Sequence, residues 1–302
     1  MISVLIPAWN AEKTLSACLQ SASGSGAEVI VVDDGSVDGT ASVVSAFPDV
    51  ILLRQSNQGV SAARNTALER AQGEYVVFLD ADDRLMDGAL GRLSAGLPAE
   101  GVDIVIMRSF GQDSEKYPWS RLFAGGTVCT KREVVRSGYL RGSVCGCAFR
   151  KSFLDEAGLS FAKGVPLSED LVFMSACLSV CERVLFLDVP FYQVQERPES
   201  ASRKMDPDYV RRASRALVAA SEQVKEPAIY AATCRSIILG MIHRAASAGY
   251  SPSRLWKEAG LDAVLPLPVP PESRHKAEIR LMNRSFPFYF RLKQLRDLCR
   301  RP

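Results

Sequence analysis

The sequence predicts an α/β fold: a mostly parallel sheet flanked by helices, followed by a helical C-terminal extension. Three observations predict it. Short apolar runs alternate with stretches of helical spacing through the first hundred residues. Those runs are rich in β-branched residues and lack polar alternation, as a sheet covered on both faces requires. After about Pro207 the pattern turns mainly helical. Strand and helix in strict alternation imply parallel strands joined by crossover helices.

The apolar runs are Ile2 to Ile6, Val29 to Val32, Val50 to Leu53, Tyr75 to Leu79 and Val102 to Met107. Each has the length of a buried strand. Helical spacing falls over Thr14 to Ala22, Thr40 to Ala46, Val60 to Ala71 and Ala89 to Leu97. From Gly111 to Phe191 the pattern is mixed. Ala-rich helices are expected around Arg212 to Ala220 and Ile229 to Ala248. A Pro-rich break at 265–271 cannot be regular structure and isolates a basic segment, Arg274 to Pro302. These readings divide the chain into residues 1–204 and 205–302.

Composition excludes several classes. With 47% hydrophobic and 24% charged residues, the 302-residue chain is an ordinary globular one. No apolar window reaches the ~18 residues of a membrane span. The start of the chain lacks the pattern of a secretory signal, so a cytoplasmic protein is expected. Eight cysteines are scattered, and neither Cys145/Cys147 nor Cys177/Cys181 has zinc-knuckle spacing. They read as buried thiols. The two histidines, His243 and His275, are too far apart in sequence to suggest a histidine metal site or a His-assisted nucleophile. Charge is split: residues 1–204 hold 20 basic and 25 acidic side chains, whereas residues 205–302 hold 17 and 9. That asymmetry points the C-terminal part toward an anionic partner.

Ligands of such sheets bind beyond the carboxyl ends of the strands, so the residues there carry the chemistry. Pro7, Ala8, Trp9 and Asn10 follow the first strand. Asp33, Asp34, Gly35 and Ser36 follow the second. A turn and a capping Asp38 explain part of that stretch, but not two adjacent carboxylates, which can accept hydrogen bonds from a base edge. Asp80, Ala81, Asp82 and Asp83 follow the fourth. Three carboxylates this close repel one another unless a cation or solvent balances them. Magnesium and manganese take oxygen ligands and fit a D-x-D pair; a solvated acidic turn fits equally well. The stretch from Asn57 to Asn65 reads as a helix start with Gly59 before it and Arg64 one turn in, suited to a phosphate or to an ion pair. At Ser168–Glu169–Asp170 two acids open a helix, where the helix dipole alone would favour them.

Taken together, in this order, these segments resemble the family 2 inverting glycosyltransferases of the GT-A fold, of the kind that build bacterial surface polysaccharides. The resemblance rests on SVLIPAWN from Ser3, DDGS at Asp33, NQGVSAARN from Asn57, FLDADD from Phe78 and SEDLVF from Ser168. Tyr192 with Ser200–Ala201–Ser202 looks like the end of the catalytic domain, so the resemblance covers residues 1 to 204. It implies a nucleotide-sugar donor, a divalent metal (Mn2+ or Mg2+), and a sugar or lipid-linked acceptor. It implies that Pro7, Ala8, Asn10 and Gly59 line the nucleotide pocket, with Asp34 on the base, Asp33 beside it and Arg64 approaching from the helix. Asp80 would reach the ribose or metal-bound water, Asp82 would ligate the metal and Asp83 would support either. Asp170 would be the general base, with Glu169 the second candidate. Ser168 stands where a Gly is common, and 111–164 is where acceptors bind.

Two rival readings share the sheet. A sugar-nucleotide nucleotidyltransferase would carry a Gly-rich basic loop after the first strand, where Pro7–Ala8–Trp9–Asn10 stands. A non-catalytic nucleotide-binding or scaffold protein would be free to lose Asp82 or Asp170. No nucleic-acid module is present. After Pro287, residues Phe288, Leu292, Leu295 and Cys299 share a helical face, with Arg291, Lys293, Arg296 and Arg300 elsewhere. This basic amphipathic helix suits either an anionic membrane surface, on the inner face of the cell membrane, or docking onto the domain.

Overall fold

The computed structural model describes residues 1–24, 26–110, 124–195, 208–271 and 275–298, without the side chains of 246 and 295–298. Ser200–Ala201–Ser202, Cys299 and Arg300 therefore lie outside the described residues, as does the stretch 111–123 of the expected acceptor region. The described chain forms two compact units. The first holds 1–131, 143–164 and 181–198; the second holds 132–142, 165–180 and 199–302.

The first unit is a nine-stranded sheet with its helices. Strands β1 (Ile2–Ala8), β2 (Glu28–Asp34), β3 (Val50–Gln55) and β4 (Tyr75–Phe78) are all parallel, in the order β3-β2-β1-β4. The crossovers are α1 (Leu15–Ala22), α2 (Thr40–Val44) and α3 (Val60–Arg70). Helix α1 buries Leu15, Cys18, Leu19 and Ala22, a stripe of helical period. Helix α3 buries Ala62, Ala63 and Ala67, small side chains that let it lie close to β1 and β2. Expected and observed elements agree in this half to within two or three residues.

Beyond β4 the sheet becomes mixed. Strand β8 (Cys147–Arg150) runs antiparallel between β4 and β6 (Ile104–Phe110). Strand β9 (Arg183–Gln193) lies parallel to β6 and holds β7 (Thr127–Thr130) and the short β5 (Arg84–Leu85), both antiparallel. Helices α4 (Ala89–Gly96) and α6 (Lys151–Glu156) belong with these strands, whereas α5 (Lys131–Ser137), which follows β7, lies past Lys131 in the second unit. Asp103 joins three of them: it accepts from Glu182 N (2.7 Å), Arg183 N (3.1 Å) and Arg150 Nη2 (2.5 Å).

The second unit is helical: α7 (Glu169–Val180), α8 (Tyr209–Gln223), α9 (Pro227–Ser247), α10 (Pro252–Ala259), α11 (Lys276–Arg284) and α12 (Phe286–Leu298). Helix α10 has each end signal: Ser251 Oγ accepts from Arg254 N (3.1 Å), Pro252 opens it, and Gly260 closes it at φ 63°. Glu278 ties three helices together. It accepts from Arg235 Nε of α9 (2.6 Å), from Tyr289 Oη of α12 (2.8 Å) and from Lys293. Burial opposes its charge, but the bonds from Lys293 and Tyr289 and the charge of Arg235 prevail and hold its pKa at about 2.

Helix α12 docks within this unit by Phe286, Tyr289 and Phe290, all buried. The face read as its apolar seam points the other way: Phe288 is 56% and Leu292 45% exposed. A docking face and an exposed apolar face thus coexist on one helix. The seven described cysteines are buried free thiols. Among the described residues, no helix is long and apolar enough to cross a membrane.

Candidate active site at the carboxyl ends of the parallel strands

Register brings the ends of β1, β2 and β4 to one rim of the first unit. Ala8 stands opposite Asp33, and Leu79, just past β4, donates to Leu5 O at 3.0 Å. Pro7 and Ala8 are buried in the strand end, whereas Asn10 is exposed. Asn10 has a left-handed φ of 50°, which Asn tolerates better than most residues. Its N–H donates to Ser36 Oγ (2.9 Å) and its Oδ1 accepts from Val37 N (3.0 Å). These bonds join the loop after β1 to the loop after β2.

Asp33 and Asp34 are buried, and each carboxylate is held by the protein's own donors. Asp33 accepts from Ser36 N (2.9 Å) and Arg54 Nε (3.2 Å). Asp34 Oδ1 accepts from Gln55 Nε2 (2.7 Å) and Gln58 N (2.9 Å), and its Oδ2 from Gly59 N (2.8 Å). Three of roughly four acceptor positions on Asp34 are filled. Gly59 opens α3 at φ 89° and ψ 164°, a region that side chains disfavour. Gly35 is doubly required: its φ is 73°, and an added Cβ would stand 2.8 Å from Asn57 N.

The acidic turn after β4 is graded. Asp83 is buried; it accepts from Tyr192 Oη (2.7 Å) and Gln195 N (2.7 Å). Burial, working against those bonds, pushes its pKa up to about 6. Asp80 is half-exposed and accepts from Arg64 Nη2 (2.9 Å) and Cys145 Sγ (3.5 Å). Asp82 is exposed. One carboxylate oxygen from each lies within 4.8 Å of the others. Such a cluster of hard oxygens suits a hexacoordinate divalent cation that keeps water or phosphate in its shell. Asp83, with both oxygens engaged, fits anchoring; Asp80 and Asp82 fit ligation.

Arg64 is 3% exposed, packs 5.1 Å above the Phe161 ring and bonds Asp80. Beside the approach to a nucleotide that the resemblance implies, Arg64 thus has a bond within the acidic turn. Tyr192, noted in the sequence only as part of a terminal segment, is a site residue that sequence reasoning missed. Its hydroxyl donates to Asp83 and accepts from Asp80 N (3.3 Å). The available signal was a Tyr inside a long apolar run, since a buried phenol needs a partner. Cys145, a buried thiol, also donates to Asp80 Oδ2.

Glu169 and Asp170 lie in the first turn of α7, in the second unit, both partly buried. Ser168, before them, has φ 62°. A left-handed backbone here explains why a Gly suits this position.

Comparisons with known proteins agree with this architecture. The family model described as Glycosyl transferase family 2 matches residues 3–158. A Bacillus subtilis protein described as an uncharacterized glycosyltransferase, EpsJ, is 28% identical over 217 residues, covering 66% of this chain and 62% of that protein. The succinoglycan biosynthesis protein ExoO of Rhizobium meliloti is 24% identical over 239 residues, 73% of this chain and 67% of that protein. The chain thus spans about two thirds of the length of these relatives, a little less in the case of EpsJ. The crystal structure of residues 1–349 of S. aureus TarS shares the fold, with a TM-score of 0.69 at 21% identity over 97% of this chain and 87% of that one. The family model spans more than half of the sequence and the whole acidic rim: this chain belongs to glycosyl transferase family 2.

Proposed function

We propose that the protein is an inverting glycosyltransferase that moves a sugar from a nucleotide-diphosphate donor to an acceptor hydroxyl in surface-polysaccharide or glycolipid assembly. The observation that carries this reading is the graded acidic turn, Asp80 to Asp83, beside the Asp34–Gly59 corner on one rim of a parallel sheet. In this reading residues 1–204 form the catalytic part and 205–302 a helical extension. UDP is the expected nucleotide; TarS, which shares the fold, has been solved with UDP and with UDP-GlcNAc. A Pyrobaculum calidifontis mannosyltransferase with GDP-Man and Mn2+ shares the fold at a TM-score of 0.55 and 19% identity.

The chain's own groups do the following. Asp34 keeps one acceptor position for a base N–H, while Pro7, Ala8, Asn10 and Asp33 shape the loops around it. Asp82 and Asp80 hold a divalent cation, which when bound neutralises charge on the diphosphate leaving group. Arg64, Cys145, Tyr192 and Asp83 hold Asp80 and the turn in place. Asp170 accepts the proton of the attacking acceptor hydroxyl, with Glu169 beside it. A single displacement inverts the anomeric centre and needs no nucleophilic side chain. Exposed Phe288 and Leu292 of α12, with Arg291 of the same helix and Arg284 at the end of α11 also exposed, form the surface that meets an anionic membrane bearing a lipid-linked acceptor. Co-sedimentation with anionic but not zwitterionic vesicles, lost in Phe288→Ser/Leu292→Ser, is the expected result.

The deciding experiment is a thermal-shift titration with UDP, GDP and UDP-sugars, with and without Mn2+. A metal-dependent stabilisation by one nucleotide, absent in Asp82→Ala, supports the reading. A folded protein that binds no nucleotide would overturn it.

A further inference from the structure

Behind the acidic turn, within the first unit, lies a cavity of about 580 Å3 formed by α1, β5, α4 and β9. Its size falls within the ~300–1,000 Å3 of small-molecule sites. Its walls carry Gln20, Arg84, Met86, Asp87, Arg92 and Gln193. Arg92 donates through Nη2 to Pro190 O (2.9 Å), while its buried Nε–H has no hydrogen-bond partner. Among the described residues, neither Arg84 nor Arg92 forms an ion pair. Two arginines with no ion-pair partner among the described residues line one cavity, and guanidinium forks match carboxylate and phosphate oxygens. Two side-chain amides and the Asp87 carboxylate on the same walls supply donors and acceptors for hydroxyl groups.

We infer that this cavity binds an acidic sugar unit, its carboxylate or phosphate on Arg84 and Arg92 and its hydroxyls on Asp87, Gln20 and Gln193. The site adjoins the acidic turn. Arg84 directly follows Asp83, the N–H of Leu85 donates to Ser21 Oγ of α1 (3.0 Å), and Gln193, paired with Arg84, neighbours Tyr192. An occupant therefore sits against β5, the strand that directly follows the acidic cluster, without using its carboxylates. The inference stands whether or not the nucleotide reading holds.

The test is calorimetric titration of the full chain with glucuronate, glucose 6-phosphate, inorganic phosphate and glucose. Binding of one or both acidic sugars at millimolar concentration, with none by glucose and weaker binding by inorganic phosphate, is expected. Which acidic sugar binds names the anion. Arg84→Gln, at an exposed position, and Arg92→Gln should each weaken binding about tenfold or more, with melting curves checking the fold. Asp82→Ala should leave it unchanged, which separates this site from the acidic cluster. Equal heats for glucose, inorganic phosphate as tight as either acidic sugar, no binding by either acidic sugar, unaltered binding in Arg84→Gln, or loss of binding in Asp82→Ala would each overturn the assignment.

Discussion

Two acidic stretches end two strands of the same parallel sheet, and the fold treats them in opposite ways. At β2, Asp33 and Asp34 are buried and accept hydrogen bonds from Ser36, Arg54, Gln55, Gln58 and Gly59. At β4 the carboxylates run from buried Asp83 through half-exposed Asp80 to exposed Asp82. A buried carboxylate needs donors to offset its lost hydration. Where protein donors fill the oxygens of a buried carboxylate, the side chain becomes a strut; where the carboxylate is exposed, as at Asp82, it can meet a cation. Residue type is the same at both places, and the donors decide the role.

The largest expected effect comes from a third acidic site. Asp170→Asn should lower transfer roughly 100- to 10,000-fold, the usual span for a general base, with donor binding retained. Near-normal turnover of that variant would remove Asp170 from the mechanism. Next, Asp34→Ala should cost several kcal/mol of stability, because it strands two backbone N–H groups and a Gln amide at ~1–3 kcal/mol each. Asp82→Ala should stay within about 0.5 kcal/mol of the parent. Denaturant melts of the pair decide: equal losses would erase the distinction between strut and ligand.

Tyr192→Phe sharpens the contrast inside the acidic turn. Loss of the bond to Asp83 should cost about 1–2 kcal/mol and weaken metal-dependent nucleotide binding, whereas a purely structural phenol would change only the melt. The smallest effect concerns Glu278, a carboxylate satisfied by cations rather than amides. Its folded pKa of about 2 lies below the ordinary glutamate value of 4.5. Its contribution is therefore complete above about pH 4.5 and disappears as pH falls through about 2. Glu278→Gln should lower the melting temperature by about 2–4 °C for each kcal/mol lost, and should show a flatter acid decline than the parent. Parallel declines would mean that the ion pairs with Arg235 and Lys293 contribute nothing.

By itself the sequence determined the parallel half: β1 to β4, their helices and the acidic residues beyond the strands were legible, because buried parallel strands are unbroken apolar runs and crossover helices keep their own period. Ser168 was legible as a Gly-like position, and its φ of 62° shows why. Only the tertiary structure decided the mixed half. Strands β5, β7 and β8 have two to four residues, too few to show a period, and they exist because β9 and β4 offer them partners. For the same reason the duties of Tyr192, Arg64 and Cys145 were invisible: each acts on Asp80 or Asp83 across at least sixteen residues of chain. The outward turn of Phe288 and Leu292 was hidden too, since helical spacing reveals that an apolar face exists but not whether Phe286, Tyr289 and Phe290 have already taken the interior. Local patterns are written in neighbouring residues; which carboxylate is saturated and which face is covered depend on what distant segments bring to it.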